Sequence, residues 1–370
     1  HPICKSGENP GDEFNDSICS TLGFWAMTAN LLFVCGSLNQ TTMMHKIAHS
    51  LPEYNVFFSP FYAEGVLAKM ASSGLLDHTI LAGSHHANTE DYLNTNRLPL
   101  DFGGRKYQYD LAITSTDLIV QSNIRRNRLV LVQEGITEPE NFAYHAVKNL
   151  GLPRYLANTA ATGLSDAYDR FFVASHGYKD LFIRKGVKPS KIVVTGIPNF
   201  DNARNEVSND FPLHDYVLVA TSSIRETGKF ENRMAFLHRV KHLAAGRKVL
   251  FRLHPNENMR RAEREIRSIF TDVIILKDGN TNHMIANCSV LITQVSSVVF
   301  TGIALGKEVY SNFDLDTLRK LAPIQNGGTS ASRIADECRN ILQLSLSELR
   351  QTKPVIRRNW ALSWLPSAFD

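Results

Sequence analysis

With 370 residues, the chain exceeds the roughly 250–300 residues at which a single hydrophobic core stops growing, so two domains are expected. Apolar residues at 43% and charged residues at 21% describe a folded globular protein and exclude a disordered or fibrous one. The net charge of +4, from 40 basic and 36 acidic side chains, argues against nucleic acid as the main partner, and no apolar run is long enough for a transmembrane helix.

Residues 1–26 are polar, rich in Gly, Asn and Asp, and carry neither helical nor strand periodicity. They are expected to be an N-terminal extension outside the fold, with Met27 reading as a natural start. The five cysteines (Cys4, Cys19, Cys35, Cys288 and Cys338) form no C-x-x-C pair and show no regular spacing, so neither a zinc site nor a disulfide framework is expected. Free thiols suit a reducing compartment, and the cytoplasm is the expected address.

From Leu31 the pattern is strand, glycine turn, helix, repeated. Residues 31–35, 55–58, 117–120, 129–132 and 171–174 read as short buried strands. Helical spacing appears at 41–51 and at 141–150, where Phe142, Ala146, Val147 and Leu150 recur on one face. Polar and turn-forming residues from Pro198 to Pro212 then crowd into a stretch of linker chemistry. A second series follows, with strands at 216–220, 248–253, 273–276, 290–293 and 308–311 and helices at 259–270 and 297–305. Between its first two strands, Phe230, Met234, Leu237 and Val240 predict another helix face.

The expected fold class is therefore α/β: a first domain at 27–200, a linker at 201–215 and a second domain at 216–350. A tail at 351–370 is placed as crossing back to the first domain. Two such parallel sheets in tandem leave a cleft between their carboxyl edges, where open α/β sheets bind ligands.

Four clusters follow predicted strands. Gln133-Glu134-Gly135 follows the strand at 129–132, and its glycine lets the loop turn sharply and present a carboxylate able to act as a general base on a hydroxyl. Thr221-Ser222-Ser223 follows 216–220. His254-Pro255-Asn256-Glu257 follows 248–253; a histidine there can donate to a phosphate oxygen and, when protonated, neutralise a departing phosphate. Gln294-Val295-Ser296-Ser297 follows 290–293 and opens a helix, where hydroxyls, unpaired N–H groups and the helix dipole favour phosphate. The competing readings are an unused loop glutamate, a packed histidine and a plain serine N-cap.

Other groupings carry less. His45 and His49 stand four apart without a third ligand, so no metal is expected. His85-His86 reads as exposed in a polar loop at 83–96, and Arg260, Arg261, Arg264 and Arg267 as a solvated helix face. No G-x-S-x-G, G-x-G-x-x-G or Walker pattern occurs, which weighs against hydrolase, dehydrogenase and NTPase chemistry.

Two tandem Rossmann-like units with a nucleotide site in the second resemble the GT-B glycosyltransferases and the related non-hydrolysing UDP-N-acetylglucosamine 2-epimerases. Residues 217–226 stand where the epimerases have a histidine-arginine-rich turn. Leu253-His254-Pro255-Asn256 resembles their next strand end, and 286–293 with 304–309 resembles the segments bracketing their diphosphate loop. The chain departs from them in two places. Gln294-Val295-Ser296-Ser297 replaces an Asp-Ser-Gly-Gly loop, and Gly36-Ser37-Leu38-Asn39-Gln40 replaces a Gly-Thr-Arg-Pro-Glu turn. Glu134-Gly135, His254-Pro255 and Ser296-Ser297, in that order, resemble the three short motifs of bacterial GT-B sialyltransferases and polysialyltransferases. The glycerophosphotransferases of teichoic-acid synthesis use a similar Ser-Ser turn.

These resemblances imply a metal-independent, cofactor-free glycosyltransferase that moves a sugar from a nucleotide-sugar donor to a glycan or glycolipid acceptor in bacterial surface-polysaccharide assembly. A CMP-sugar is slightly preferred to a UDP-sugar. Glu134 and His254 are the implied catalytic residues. Ser222, Ser223, His254, Asn256, Ser296 and Ser297 are implied at the nucleotide phosphates, and Gly36, Ser37, Gln133 and Gly135 as donor or acceptor contacts. The expected partners are the donor and the acceptor, not nucleic acid, and peripheral contact with the inner membrane face is compatible with a cytoplasmic address. The alternatives are a UDP-sugar 2-epimerase, a glycerophosphotransferase-like enzyme and a catalytically silent nucleotide-sugar binding protein.

Overall fold

A computed structural model of the protein describes residues 28–74, 76, 79–227 and 230–351. The expected extension at 1–26 lies outside the described residues, as does the expected tail apart from Gln351. The first sheet holds β1 (Asn30–Cys35), β2 (Asn55–Pro60), β3 (Leu111–Thr114), β4 (Arg128–Val132), β5 (Arg170–Val173) and β6 (Ile192–Val194), in the order β2-β1-β3-β4-β5-β6. The second holds β7 (Val217–Ala220), β8 (Val249–Arg252), β9 (Ile274–Leu276), β10 (Val290–Thr293) and β11 (Glu308–Tyr310), in the order β11-β10-β7-β8-β9. Every pairing in both sheets is parallel. Helices cover both faces of such sheets, which is why most strands are continuous apolar runs rather than alternating ones.

The strand order reverses between β1 and β3 in the first sheet and between β7 and β10 in the second. These switch points are where crevices open beyond the carboxyl ends of the strands. No helix among the described residues is long and apolar enough to cross a membrane.

The structure corrects four expectations. The strand expected at 117–120 is instead β3, six residues earlier. Asp117 is buried in the following loop, where its carboxylate accepts the N–H groups of Gly163 and Ser165. Segment 83–96, expected as a polar loop, is mostly helix α3 (Gly83–Thr95), introduced after α1 (Leu38–His49) and α2 (Gly65–Ser72). Its inward stripe is Thr89 and Leu93, one turn apart, and a single leucine among polar residues gave the helix no visible apolar period. Phe230 lies before the helix Arg233–Ala244 and is 92% exposed, while Phe236, Leu237 and Val240 face the core.

The fourth correction concerns where the second domain ends. The chain returns to the first sheet well before residue 350: the Ile324 N–H donates to the Ala174 carbonyl, and the Asn326 amide to that of Thr195. Helix Ser330–Gln343 then packs on α1, burying Ile334, Ala335, Cys338 and Ile341, and Arg339 pairs with Glu53. The polar segment 201–215 is also pinned: Asp201 is buried and accepts the Ser330 N–H, and Asn209 exchanges hydrogen bonds with Asn287. The two units are thus joined by two crossings of the chain.

Candidate functional site

The carboxyl ends of β1, β4, β7, β8 and β10 open onto a cleft of about 1370 Å³ between the two units. Glu134 is its best-organised carboxylate. Ser37 caps α1 and forms a capping box: its hydroxyl accepts the Gln40 N–H, and the Gln40 side-chain oxygen accepts the Ser37 N–H. That turn presents three donors to Glu134. The Ser37 hydroxyl (2.9 Å) and the Asn39 amide (3.4 Å) reach Oε1, and the Gln40 amide reaches Oε2. The Gly36 position leaves no room for a side chain, since a Cβ there would meet Gln40 Oε1.

Gln133 is buried and bonded at both ends, donating to the Gly135 carbonyl and accepting the Ala174 N–H, so it fixes the turn. Gly135 marks a close approach of the units. Ser297 Oγ accepts the Ile136 N–H at 3.0 Å, and a Cβ on Gly135 would sit 2.5 Å from that same oxygen. Ser297 therefore ties the loop after β10 to the loop after β4 and makes no side-chain cap on its own helix, Val298–Ala304.

On the second unit, Thr221 donates to Glu257 and accepts the His254 N–H. The buried Ser222 hydroxyl donates to the Val295 carbonyl, stapling the loops after β7 and β10, while Ser223 and Ser296 are left facing the cleft. His254 Nδ1 accepts the Asn256 N–H at 3.2 Å, so the neutral ring carries its proton on Nε2. Burial pushes this imidazole down to about 4, helped by His85 and Arg252. His254 is thus a neutral hydrogen-bond donor near neutral pH, and the charge-neutralising part of its expected role falls away.

Asn256 points across the cleft, donating to His85 Nε2 at 2.8 Å, rather than toward the serines. His85, expected to be exposed, is therefore a half-buried contact between units; burial lowers its pKa, against the pull of Glu134. His45 is bonded to the Tyr92 hydroxyl, and no metal-holding group of three His, Cys, Asp or Glu occurs among the described residues.

Two features escaped the sequence reading. Arg252, the last residue of β8, lines the cleft as a half-buried cation beside His254. Behind it lies a charged cluster in which Arg233 contacts Glu231 and Glu257, and Arg225 pairs bidentately with Glu265. Burial raises the Glu257 pKa despite Arg233. Glu257 sits three residues after His254, which was its only signal in sequence. Its partners lie 24–36 positions away in the chain.

No family model and no curated protein matches the chain. Solved structures do. The UDP complex of MnaA from S. aureus matches with a TM-score of 0.55 and 11% identity, covering 86% of this chain and 98% of that one. A Methanocaldococcus jannaschii UDP-GlcNAc 2-epimerase, solved with UDP-GlcNAc and UDP, gives 0.51 and 13%, covering 84% and 99%. A Neisseria meningitidis UDP-GlcNAc 2-epimerase bound to UDP-GlcNAc gives 0.50 and 12%, covering 84% and 100%. The fold is GT-B. At such identities the likeness extends to this fold and no further, and GT-B proteins place two facing sheets around a cleft as seen here.

Proposed function

We propose that the protein is a nucleotide-sugar enzyme working across this cleft, and that it transfers the sugar to an acceptor held by the first unit. The observation that carries the reading is the meeting of Glu134 and His254, on different units, at one cleft of about 1370 Å³. Pockets for single small ligands typically span about 300–1,000 Å³, so this cleft has room for a donor and an acceptor together. In the proposed reaction the acceptor hydroxyl attacks the anomeric carbon and gives its proton to Glu134. The bond from that carbon to the phosphate oxygen breaks, and its electron pair leaves with the nucleotide. His254 Nε2–H, Ser223 and Ser296 donate to the phosphate, and Arg252 supplies positive charge. Ser222, Ser297 and Asn256 support the site from behind through the bonds described above.

The order of the acid-glycine, His-Pro and Ser-Ser pairs supports a sialyltransferase-like assignment within surface-polysaccharide assembly, with a CMP- or UDP-activated sugar as donor. A second reading, 2-epimerisation of a UDP-sugar without an acceptor, is favoured by the structural neighbours described as UDP-GlcNAc 2-epimerases. Incubation with a panel of CMP- and UDP-sugars, with and without glycan acceptors, separates the two. Product formation only with acceptor supports transfer; isomerisation of the donor alone overturns it in favour of the epimerase.

A further inference from the structure

Both walls of the cleft mix polar and apolar side chains. The second unit sets Ser223, Arg252, His254 and Ser296 beside Phe230 and Phe313. Away from Glu134, and beside Ser115, Thr116 and Thr159, the first unit lines the cleft with Leu67, Met70, Leu76, Ile80, Leu118 and Ile119. A nucleotide and a hexose are polar over most of their surface and would leave these six apolar side chains uncovered, whereas apolar surface in a groove marks a binding site.

Helix α2 sharpens the point. It has eight residues, no fully buried side chain and no side-chain cap. So short a helix is marginal unless its apolar face is covered. That face carries Leu67 and Met70, one turn apart, and both line the cleft. Tyr155 also lines the cleft, and Leu152 and Leu156 near it in the chain are exposed by 41% and 52%.

We infer that the α2 side of the cleft binds the hydrocarbon chain of an amphiphilic acceptor, whose polar head reaches Glu134. The chain lies against Leu67, Met70 and Ile119 and leaves past Tyr155. The inference rests on the proposed function only in taking the first unit as the acceptor side.

Titration calorimetry with methyl, hexyl and octyl glucosides, all below their micelle concentrations, tests it. UDP and CMP are titrated separately. Burial of each methylene should raise glucoside affinity about two- to fourfold. The double variant Leu67→Asn/Met70→Gln should flatten that dependence while leaving nucleotide affinity unchanged. Both side chains are partly buried at the cleft wall, so an unchanged unfolding temperature is the control that the variant folds as the parent does. Affinity independent of chain length, or a dependence that survives the double substitution, overturns the inference. Chain-length dependence without nucleotide binding would uphold the apolar subsite and overturn the proposed function; nucleotide binding with a flat series would do the reverse.

Discussion

Replacing Gly135 by alanine tests whether the two units meet where Ser297 reaches across. The glycine backbone there is one that alanine adopts, so any strain comes from contact alone. The new methyl carbon would sit 2.5 Å from Ser297 Oγ, 0.9 Å short of the 3.4 Å at which ordinary contact begins, and 3.2 Å from Ser297 Cβ. Separating the loops by that amount also breaks the 3.0 Å bond from the Ile136 N–H to Ser297 Oγ. Overpacking costs about 1–3 kcal/mol and the lost hydrogen bond about 1 kcal/mol. Unfolding entropy of roughly 2.1 cal/mol/K per residue makes 1 kcal/mol worth about 1.3 °C in a chain of this length, so the midpoint should fall by about 3–5 °C. Adding Ser297→Ala removes the clashing oxygen. The double variant should recover at least about 1 kcal/mol relative to the sum of the single changes. Differential scanning calorimetry of all four proteins completes the cycle. Because a shift near 1 Å can cost about 10²-fold in rate, turnover in Gly135→Ala should drop further than nucleotide affinity does. Additive effects of the two substitutions would refute the close approach of the units at this point.

Three other outcomes are expected. Glu134→Gln should lower transfer by about 10²–10⁴-fold with nucleotide affinity near the parent's; an unchanged turnover number removes Glu134 from the mechanism. With burial holding His254 at about 4, the ring is neutral in the folded protein above that value, so its titration should leave kcat/KM flat from pH 5.5 to 8. An imidazole resonance of His254 titrating near pH 6.5 by NMR would contradict this. Lys185 is buried, donates to the Ala160 carbonyl and is pushed down to about 8 by burial. The unfolded chain therefore binds the extra proton between about pH 8 and 10.5, and stability should rise with pH across that window by up to about 3 kcal/mol. In Lys185→Met, denaturant titrations should lack that rise; an identical pH dependence would mean the ammonium is not desolvated.

The alternation of apolar runs and turns made the sheets legible, because parallel strands buried on both faces advertise themselves as short runs of Val, Leu, Ile and Phe. Strand β10 was expected at the residues it occupies, 290–293. Strand β3 was missed because Leu111–Thr114 mixes Ala and Thr among its apolar residues, while the nearby Leu118, Ile119 and Val120 looked more strand-like. Glu134 and His254 were visible as polar residues placed after strands. Ser37 and Asn256 were named too, but not what they bond: Ser37 reaches Glu134, 97 positions away, and Asn256 reaches His85, 171 positions away, separations no local spacing encodes. The low pKa of His254 likewise arises from burial, helped by His85, which only the folded chain brings near it.

The return of the helix Ser330–Gln343 to α1 also bears on how the chain acquires its structure. Domains usually form in the order in which they leave the ribosome, amino-terminal unit first. Here the strands of the second sheet are continuous in sequence from β7 to β11, whereas the first unit lacks the helix that packs on α1 until residues 330–343 have emerged. The later-made unit is therefore able to close before the earlier one is complete. Truncation after Leu321 should leave the second sheet formed and the part of α1 under the helix Ser330–Gln343 open to solvent and to chaperones.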